Sequence, residues 1–128
     1  MSLDENLPIA NWPEKDGEYK VVQLDIHGKP HLRFAQRSYE THGIILKLLL
    51  GIRDDKDLTF VGASGTRSPE PEGEGYKVRG MGRAKVNVEQ RTASFYGSSD
   101  DYGFRIDKTH LDSIRTSVPD WKISRVED

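Results

Sequence analysis

By its type and its position, His42 is the strongest candidate for a reactive residue in this chain. It stands where a polar run gives way to segment 43–50, the most apolar stretch of the sequence. Gly51 is a residue that commonly ends a helix, and either Ser38 or Thr41 can serve as an N-cap. These signals predict a helix that begins beside His42 and ends before Gly51. The free N–H groups and the positive dipole end at a helix start suit an anion. His42 is therefore predicted to lie at an anion-binding helix terminus.

The helix itself is predicted from composition as well as from its end signals. Only Lys47 interrupts the apolar character of segment 43–50, which predicts burial on nearly all sides. By periodicity alone, a run this apolar also suits a central strand. Its length and its leucine-rich, mostly unbranched composition favour the helix.

Lys20 and Arg83 are basic residues within predicted strands, and their types alone do not mark them as functional. Lys20 shares the alternating apolar face of Val22, where a lysine at the start of a strand is more often a snorkelling rim residue. Simple alternation puts Arg83 on the solvated side with Lys77. Only a bulge at the glycines of segment 80–82 would turn Arg83 inward.

Two other segments hold polar residues that could bind ligands. The loop 97–103 is rich in hydroxyl groups and free N–H groups and contains Ser99, Asp100 and Asp101, but loops of this composition are mostly simple turns. Potential metal ligands occur at Asp25, His27 and His31. A turn separates these two histidines and no further ligand stands nearby, so a metal site there is not favoured.

The composition of the chain excludes some classes of function and disfavours others. With 128 residues, the chain is expected to form one domain with one core. Its net charge of -2, with both signs interspersed, does not favour sequence-independent nucleic-acid binding. The absence of cysteine excludes disulfides, thiolate metal ligands and cysteine nucleophiles. Because there is no long apolar run and no leader-like segment, we expect a soluble, cytoplasmic protein without a membrane partner. We also expect it to be a monomer.

The elements that must position these residues follow an α+β pattern. Strands are predicted over 18–27, 31–36, 76–86, 91–98 and 121–126, with turns near 28–30 and 87–90. A short amphipathic helix is predicted from a capping box at 109–112 to about Ser117. We therefore expect a single mixed or antiparallel sheet with two main α-helices packed on it.

Two segments are expected to lie outside this framework, which forms a single domain over 1–128. Residues 1–17 are predicted to form an irregular N-terminal arm, pinned to the body by Ile9 and Trp12. Residues 54–75 combine charges, prolines and glycines, and are predicted to form a flexible loop insertion with one short strand at 58–61.

Taken together and in order, five blocks of the chain resemble those of the protein histidine phosphatase family, also called Janus/Ocnus. No single block is specific, but their order and spacing are. The blocks are Gly17-Glu18-Tyr19-Lys20-Val21-Val22, Tyr39-Glu40-Thr41-His42, Gly80-Met81-Gly82-Arg83, the segment from Phe95 to Gly103, and the segment from Ile114 to Trp121.

The resemblance implies a function and a set of site residues. Members of this family are metal-free hydrolases that remove phosphate from phosphohistidine in proteins. His42 would be the catalytic histidine, acting as nucleophile or as general base, and no cofactor would be needed. The phosphate would bind at Lys20 and Arg83, and at backbone N–H groups near Gly43 and the segment Ser99, Asp100 and Asp101, with the Ser99 hydroxyl. Phosphohistidine-containing proteins would be the partners and inorganic phosphate the product.

Two departures from the family pattern define an alternative. Thr41 occupies the position before the histidine, where the family has tyrosine, and Asp101 stands where a small neutral residue is usual. A carboxylate pointing at a phosphate would weaken its binding. The alternative is a non-catalytic phosphoprotein-binding or anion-binding regulatory module of the same fold.

Overall fold

The predicted α+β fold is present. The structure, a computed structural model, describes residues 6–52, 58, 60–61, 67–100 and 102–126, and for Phe60 only the backbone. A mixed, six-stranded sheet has the order β2-β1-β6-β7-β8, with β5 paired to β6 at one end. The bounds of these strands are β1 Gly17–Ile26, β2 Lys29–Phe34, β5 Glu72–Gly73, β6 Tyr76–Asn87, β7 Thr92–Tyr96 and β8 Lys122–Arg125. All pairs are antiparallel except β7 with β8.

The sheet carries one helix on each face. Helix α1 (His42–Leu50) contributes Ile45 and Leu46 to a core that includes Val22. Helix α2 (Lys108–Ser117) contributes Leu111 and Ile114 to a second core, which includes Val21. Because successive strand residues point to opposite faces, Val21 and Val22 mark the α2 side and the α1 side of the sheet.

Helix α1 has the predicted ends. The Thr41 hydroxyl accepts a hydrogen bond from the Ile44 N–H, and Gly51 ends the helix in the left-handed conformation at φ 68°. The prediction of burial on nearly all sides is wrong, because Leu48 is 60% exposed. Only one side of α1 packs against the sheet, so the opposite side keeps apolar residues at the surface.

Helix α2 begins two residues earlier than the predicted capping box. Its N-cap is Asp107, whose side chain accepts a hydrogen bond from the His110 N–H at 3.0 Å. The predicted end at Ser117 is confirmed.

The N-terminal arm lies along the free edge of β2. The Leu32 N–H donates to the Ile9 carbonyl at 2.7 Å, and Ile9 and Trp12 pack on the α2-side core as predicted. Trp12 also stacks on Trp121, with ring centroids 3.7 Å apart. The buried Arg33 guanidinium donates to the Pro8 carbonyl at 2.8 Å, and burial lowers its pKa.

The segment predicted to be a flexible loop insertion contains short strands among its described residues. Strands β3 (Phe60–Val61) and β4 (Arg67–Ser68) pair with each other, and β5 extends the main sheet. The remaining part of the predicted loop, residues 54–57, 59 and 62–66, lies outside the described residues. Within the part of the chain that is described, no helix has the length and apolarity needed to cross a membrane.

Candidate functional site

A bulge in β6 decides which way Arg83 points. Gln23 of β1 pairs with Gly80, but the next residue, Leu24, pairs with Val78, so Arg79 is an extra residue in β6. The extra residue reverses the alternation, and Arg83 is placed directly opposite Lys20. The prediction that Arg83 shares a side of the sheet with Lys77 is wrong, because Arg83 lies on the α1 side and Lys77 on the α2 side. The predicted solvent exposure of Arg83 is confirmed.

Gly80, the residue after the bulge, packs too closely against its neighbours to carry a side chain. A Cβ at Gly80 would lie 2.6 Å from the Arg105 carbonyl oxygen and 2.9 Å from the Asp107 nitrogen. It would also collide with the Gln23 side chain. The buried Gln23 amide joins this region to α2, because its Oε1 accepts from the Asp107 N–H at 2.7 Å and its Nε2 donates to the Asp107 carbonyl at 2.9 Å.

Lys20 and Arg83 share a cavity of about 320 Å³ at the start of β1. The cavity is also lined by segments 17–19 and 35–38, and by Glu40. Lys20 is half-buried and Arg83 exposed. Two cations directly opposite each other on one sheet face are destabilising unless an anion lies between them. The cavity is therefore a candidate anion-binding site, although the acidic residues Glu18 and Glu40 also line it.

Glu40 is the site residue that sequence reasoning missed. Its side chain is only 2% exposed, and its Oε2 atom has no hydrogen-bond partner among the described residues. A buried carboxylate next to Lys20 and Arg83 partly balances their charge. The available signal was its position two residues before His42, although nothing in the residue types predicts that an acid there is buried.

His42 is held at the first residue of α1 by a bond to β6. Its Nε2 lies 2.9 Å from the Gly82 carbonyl oxygen, and the residue is 8% exposed. Because a carbonyl oxygen only accepts, Nε2 carries the hydrogen, and in the neutral imidazole the lone pair is on Nδ1. Gly82 directly precedes Arg83, so this bond joins His42 to the strand that carries the cation. His42 is not among the residues that line the 320 Å³ cavity.

Gly43, the next predicted site residue, is buried against the segment that carries β4. A Cβ at Gly43 would collide with the Ser68 side chain and lie 3.7 Å from the Tyr102 hydroxyl. The Tyr102 hydroxyl donates to the Pro69 carbonyl at 2.8 Å. The first turn of α1 is thus packed between the β4 segment and the Ser99 loop.

The Ser99 loop uses several of its polar groups internally. The Ser99 N–H donates to the Phe104 carbonyl at 2.8 Å, and the Ser99 hydroxyl accepts from the Tyr102 N–H at 3.4 Å. Ser99 is buried, whereas Asp100 is exposed. The predicted phosphate-binding N–H of Ser99 is therefore engaged within the loop. Asp101, which departs from the family pattern, lies outside the described residues.

The possible metal ligands of the β1–β2 hairpin do not converge. Asp25 pairs with Pro30 and Leu24 pairs with His31, so the side chains of Asp25 and His31 point to opposite faces of the sheet. Among the described residues, no group of three or more His, Cys, Asp and Glu side chains could hold a metal ion.

Asp25 belongs instead to a partly buried polar cluster on the α2 side. One carboxylate oxygen lies 2.7 Å from Arg79 Nε and the other lies 3.3 Å from His110 Nε2. The latter contact lacks hydrogen-bond geometry, and it is an ion pair only when His110 is protonated. His110 Nδ1 lies 3.2 Å from Gln23 Nε2. Burial lowers the pKa of His110, against the attraction of Asp25, which raises it.

Lys20 and Arg83 can together neutralise an anion in the cavity at the start of β1. The fixed imidazole of His42 is bonded to Gly82, the neighbour of Arg83, and lies outside the lining of this cavity. A scan of known protein-family models finds no match to this chain, and a search of curated proteins finds no relative.

Proposed function

We propose that this chain is a cytoplasmic, metal-independent protein histidine phosphatase that hydrolyses the P–N bond of phosphohistidine in proteins. The observation that supports the proposal most is the bulge, which brings Arg83 opposite Lys20 in a cavity beside the His42 helix. Independence from metals follows from the family resemblance of the five sequence blocks. Phosphohistidine-containing proteins are then the substrates and inorganic phosphate is the product.

In the proposed reaction, the P–N bond breaks and the leaving imidazole nitrogen of the substrate takes up a proton. The phosphoryl group passes to water, either directly or through His42. Charge in the transition state is spread over the phosphoryl oxygens, where Lys20 and Arg83 stabilise it.

His42 has one of two roles in this reaction, nucleophile or general base. It attacks phosphorus and becomes phosphorylated, or it removes a proton from the attacking water. Rapid quenching of the protein with radiolabelled phosphoramidate separates the two roles, because only the first labels the protein.

The experiment that tests the proposal is hydrolysis of phosphoramidate and of a phosphohistidine peptide in the presence of EDTA. We expect turnover by the wild-type chain and a loss of at least about a hundredfold in His42→Ala, since the reacting group is removed. His27→Asn is the matched control, because His27 lies at a hairpin turn with φ 49°, which asparagine tolerates. Full activity in His42→Ala would refute the proposal, provided that circular dichroism shows a folded variant.

A second candidate is a non-catalytic module that binds phosphoprotein or anion. It is favoured by the burial of His42 and by its absence from the cavity lining. This candidate predicts phosphate binding, measured by calorimetry, that depends on Lys20 and Arg83 without any turnover. Detectable hydrolysis that requires His42 would rule it out.

A further inference from the structure

The α1 side of the sheet has a covered part and an open part. Under α1 this face carries apolar residues such as Val22, Leu24 and Met81. Beyond them, the register continues with Lys20 opposite Arg83, and with Lys85 opposite Ser94. These residues are half-buried or exposed. We call this part of β1, β6, β7 and β8 the open sheet face.

The open sheet face concentrates positive charge. Strand pairing places four basic residues on it, at Lys20, Arg83, Lys85 and Lys122. None of the four forms an ion pair with a carboxylate in the described part of the chain. Glu18 is an acid on the same face, opposite Lys85. Since the whole chain has a net charge of -2, this excess of base is local.

The open sheet face is continuous with the candidate phosphate site. A cavity of about 460 Å³ lies on it, lined among others by Lys85, Thr92 and Ser94. That cavity and the 320 Å³ cavity of Lys20 and Arg83 share Gly17. From β1 to β8 there are three strand spacings, or roughly 14 Å, the length of about four extended residues. A polypeptide whose phosphohistidine enters the phosphate site can therefore lie across this face.

We propose that the open sheet face docks an acidic polypeptide segment next to the phosphohistidine of the protein substrate. The inference rests on the proposed function for the identity of the partner, and on charge complementarity for its chemistry. Unpaired lysines within a Debye length of each other attract a segment rich in Asp and Glu. Hydroxyl groups on the same face, such as the contacting pair Ser94 and Ser124, can bond to its backbone.

A nucleic acid fits this face less well. Single-stranded RNA binders combine a basic groove with several aromatic side chains for base stacking. Between Lys20 and Lys122, the described part of the open sheet face has one aromatic residue, Tyr96, and it is half-buried.

The test compares two short labelled peptides that differ only in having Glu or Gln around a central histidine. Binding of the unphosphorylated peptides is measured by fluorescence anisotropy in the wild-type chain and in Lys85→Ser/Lys122→Ser. The matched control is Lys77→Ser/Lys108→Ser, which removes the same charge. Lys77 faces the α2 side of the sheet and Lys108 begins α2.

We expect tighter binding of the Glu peptide to the wild-type chain and a loss of about fivefold in Lys85→Ser/Lys122→Ser, as for paired exposed charges. The control variant should lose less than about twofold, and added salt should remove the preference for the Glu peptide. Equal affinity for the two peptides, or equal losses in the two variants, overturns the proposal. So does a single-stranded RNA oligomer that binds the face more tightly than the Glu peptide.

Failure of the docking proposal can be distinguished from failure of the proposed catalytic function. Phosphoramidate is too small to reach Lys122, so its hydrolysis reports the phosphate site. If the wild-type chain binds the Glu peptide but does not hydrolyse phosphoramidate, the proposed catalytic function fails and the docking surface stands. If it hydrolyses phosphoramidate and shows no preference between the peptides, the docking surface fails alone.

Discussion

Lys20 on β1 and Arg83 on β6 are directly opposed across an antiparallel strand pair, and the described residues provide neither with an ion-paired carboxylate. Like charges in this relationship lower stability by about 0.2–1 kcal/mol. A phosphate bound between them, as proposed, would remove the repulsion and gain from both cations. The same pair would then lower the stability of the free protein and raise its affinity for an anion.

Replacing Arg83 should separate these two effects. In Arg83→Met, we expect a free energy of unfolding in phosphate-free buffer that is unchanged or higher by about 0.5 kcal/mol, because the repulsion is gone. We also expect a smaller rise in Tm on adding phosphate, because one cation of the site is missing. Thermal unfolding with and without phosphate measures both.

Arg79→Met is the control for Arg83→Met. Arg79 pairs with Asp25 on the α2 side of the sheet. Its loss should lower stability by about 0.5 kcal/mol, as for a partly exposed ion pair, with the phosphate effect intact. An identical response of both variants to phosphate would show that Arg83 does not contact the anion.

Glu40→Gln should strengthen the binding of inorganic phosphate. Glutamine keeps the size of the side chain and removes a buried negative charge from the cavity of Lys20 and Arg83. At an effective dielectric constant near that of a protein surface, we expect a decrease of about fivefold in the phosphate Kd. Isothermal titration measures the change, and weaker phosphate binding in Glu40→Gln would contradict a purely electrostatic role for Glu40.

Gly80→Ala should destabilise the fold and weaken the anion site together. The added Cβ meets backbone atoms of Arg105 and Asp107, which cannot rotate away. We expect a loss of about 1–3 kcal/mol in the free energy of unfolding, measured with denaturant. Because the bulge orients Arg83, the effect of phosphate on Tm should fall too.

The control for Gly80→Ala is Gly28→Asn. Gly28 has φ 79°, and a Cβ there would have no neighbour within 4 Å. Asparagine tolerates this left-handed conformation, so the variant should stay close to wild type. If Gly28→Asn lost as much free energy of unfolding as Gly80→Ala, close packing at Gly80 would not be the cause of the destabilisation.

We expect the free energy of unfolding to fall in acid, because the buried His110 becomes protonated. Burial lowers the pKa of His110 below its ordinary value of 6.5, although Asp25 and Asp107 face it and oppose the shift. The unfolded chain therefore binds a proton at a higher pH than the folded chain does. The stability contributed by neutral His110 is present above pH 6.5, is lost as the pH falls towards the folded pKa, and levels off below it.

Denaturant unfolding between about pH 7.5 and 5 measures this loss. His110→Gln removes the titrating group, so its free energy of unfolding should depend less steeply on pH over this window. An equal slope in the wild-type chain and the variant would show that another group causes the acid sensitivity.

Local signals in the sequence determined where the helices and strands form. The helix at His42 has the Thr41 cap and the Gly51 stop that its residues predict, and the hairpin of β6 and β7 turns near the predicted residues 87–90. The first hairpin turns at His27 and Gly28 instead of 28–30, because Lys29 and Pro30 already belong to β2. Caps, turn residues and the periods of helix and strand act over a few neighbouring residues, so they can be recognised in the chain alone. The helix signals marked His42 as a candidate, and the family resemblance marked Lys20 and Arg83. Neither showed that Lys20 and Arg83 share a cavity.

Tertiary structure alone decided how these elements present their side chains. The side of the sheet that Arg83 takes depends on an extra residue, Arg79, which is accommodated where Gly80 packs against Arg105 and Asp107, far along the chain. The burial of Glu40 and the exposure of Leu48 likewise depend on which surfaces meet after folding. A one-residue change of register moves every later side chain of a strand to the other face, and only packing between distant segments fixes that register.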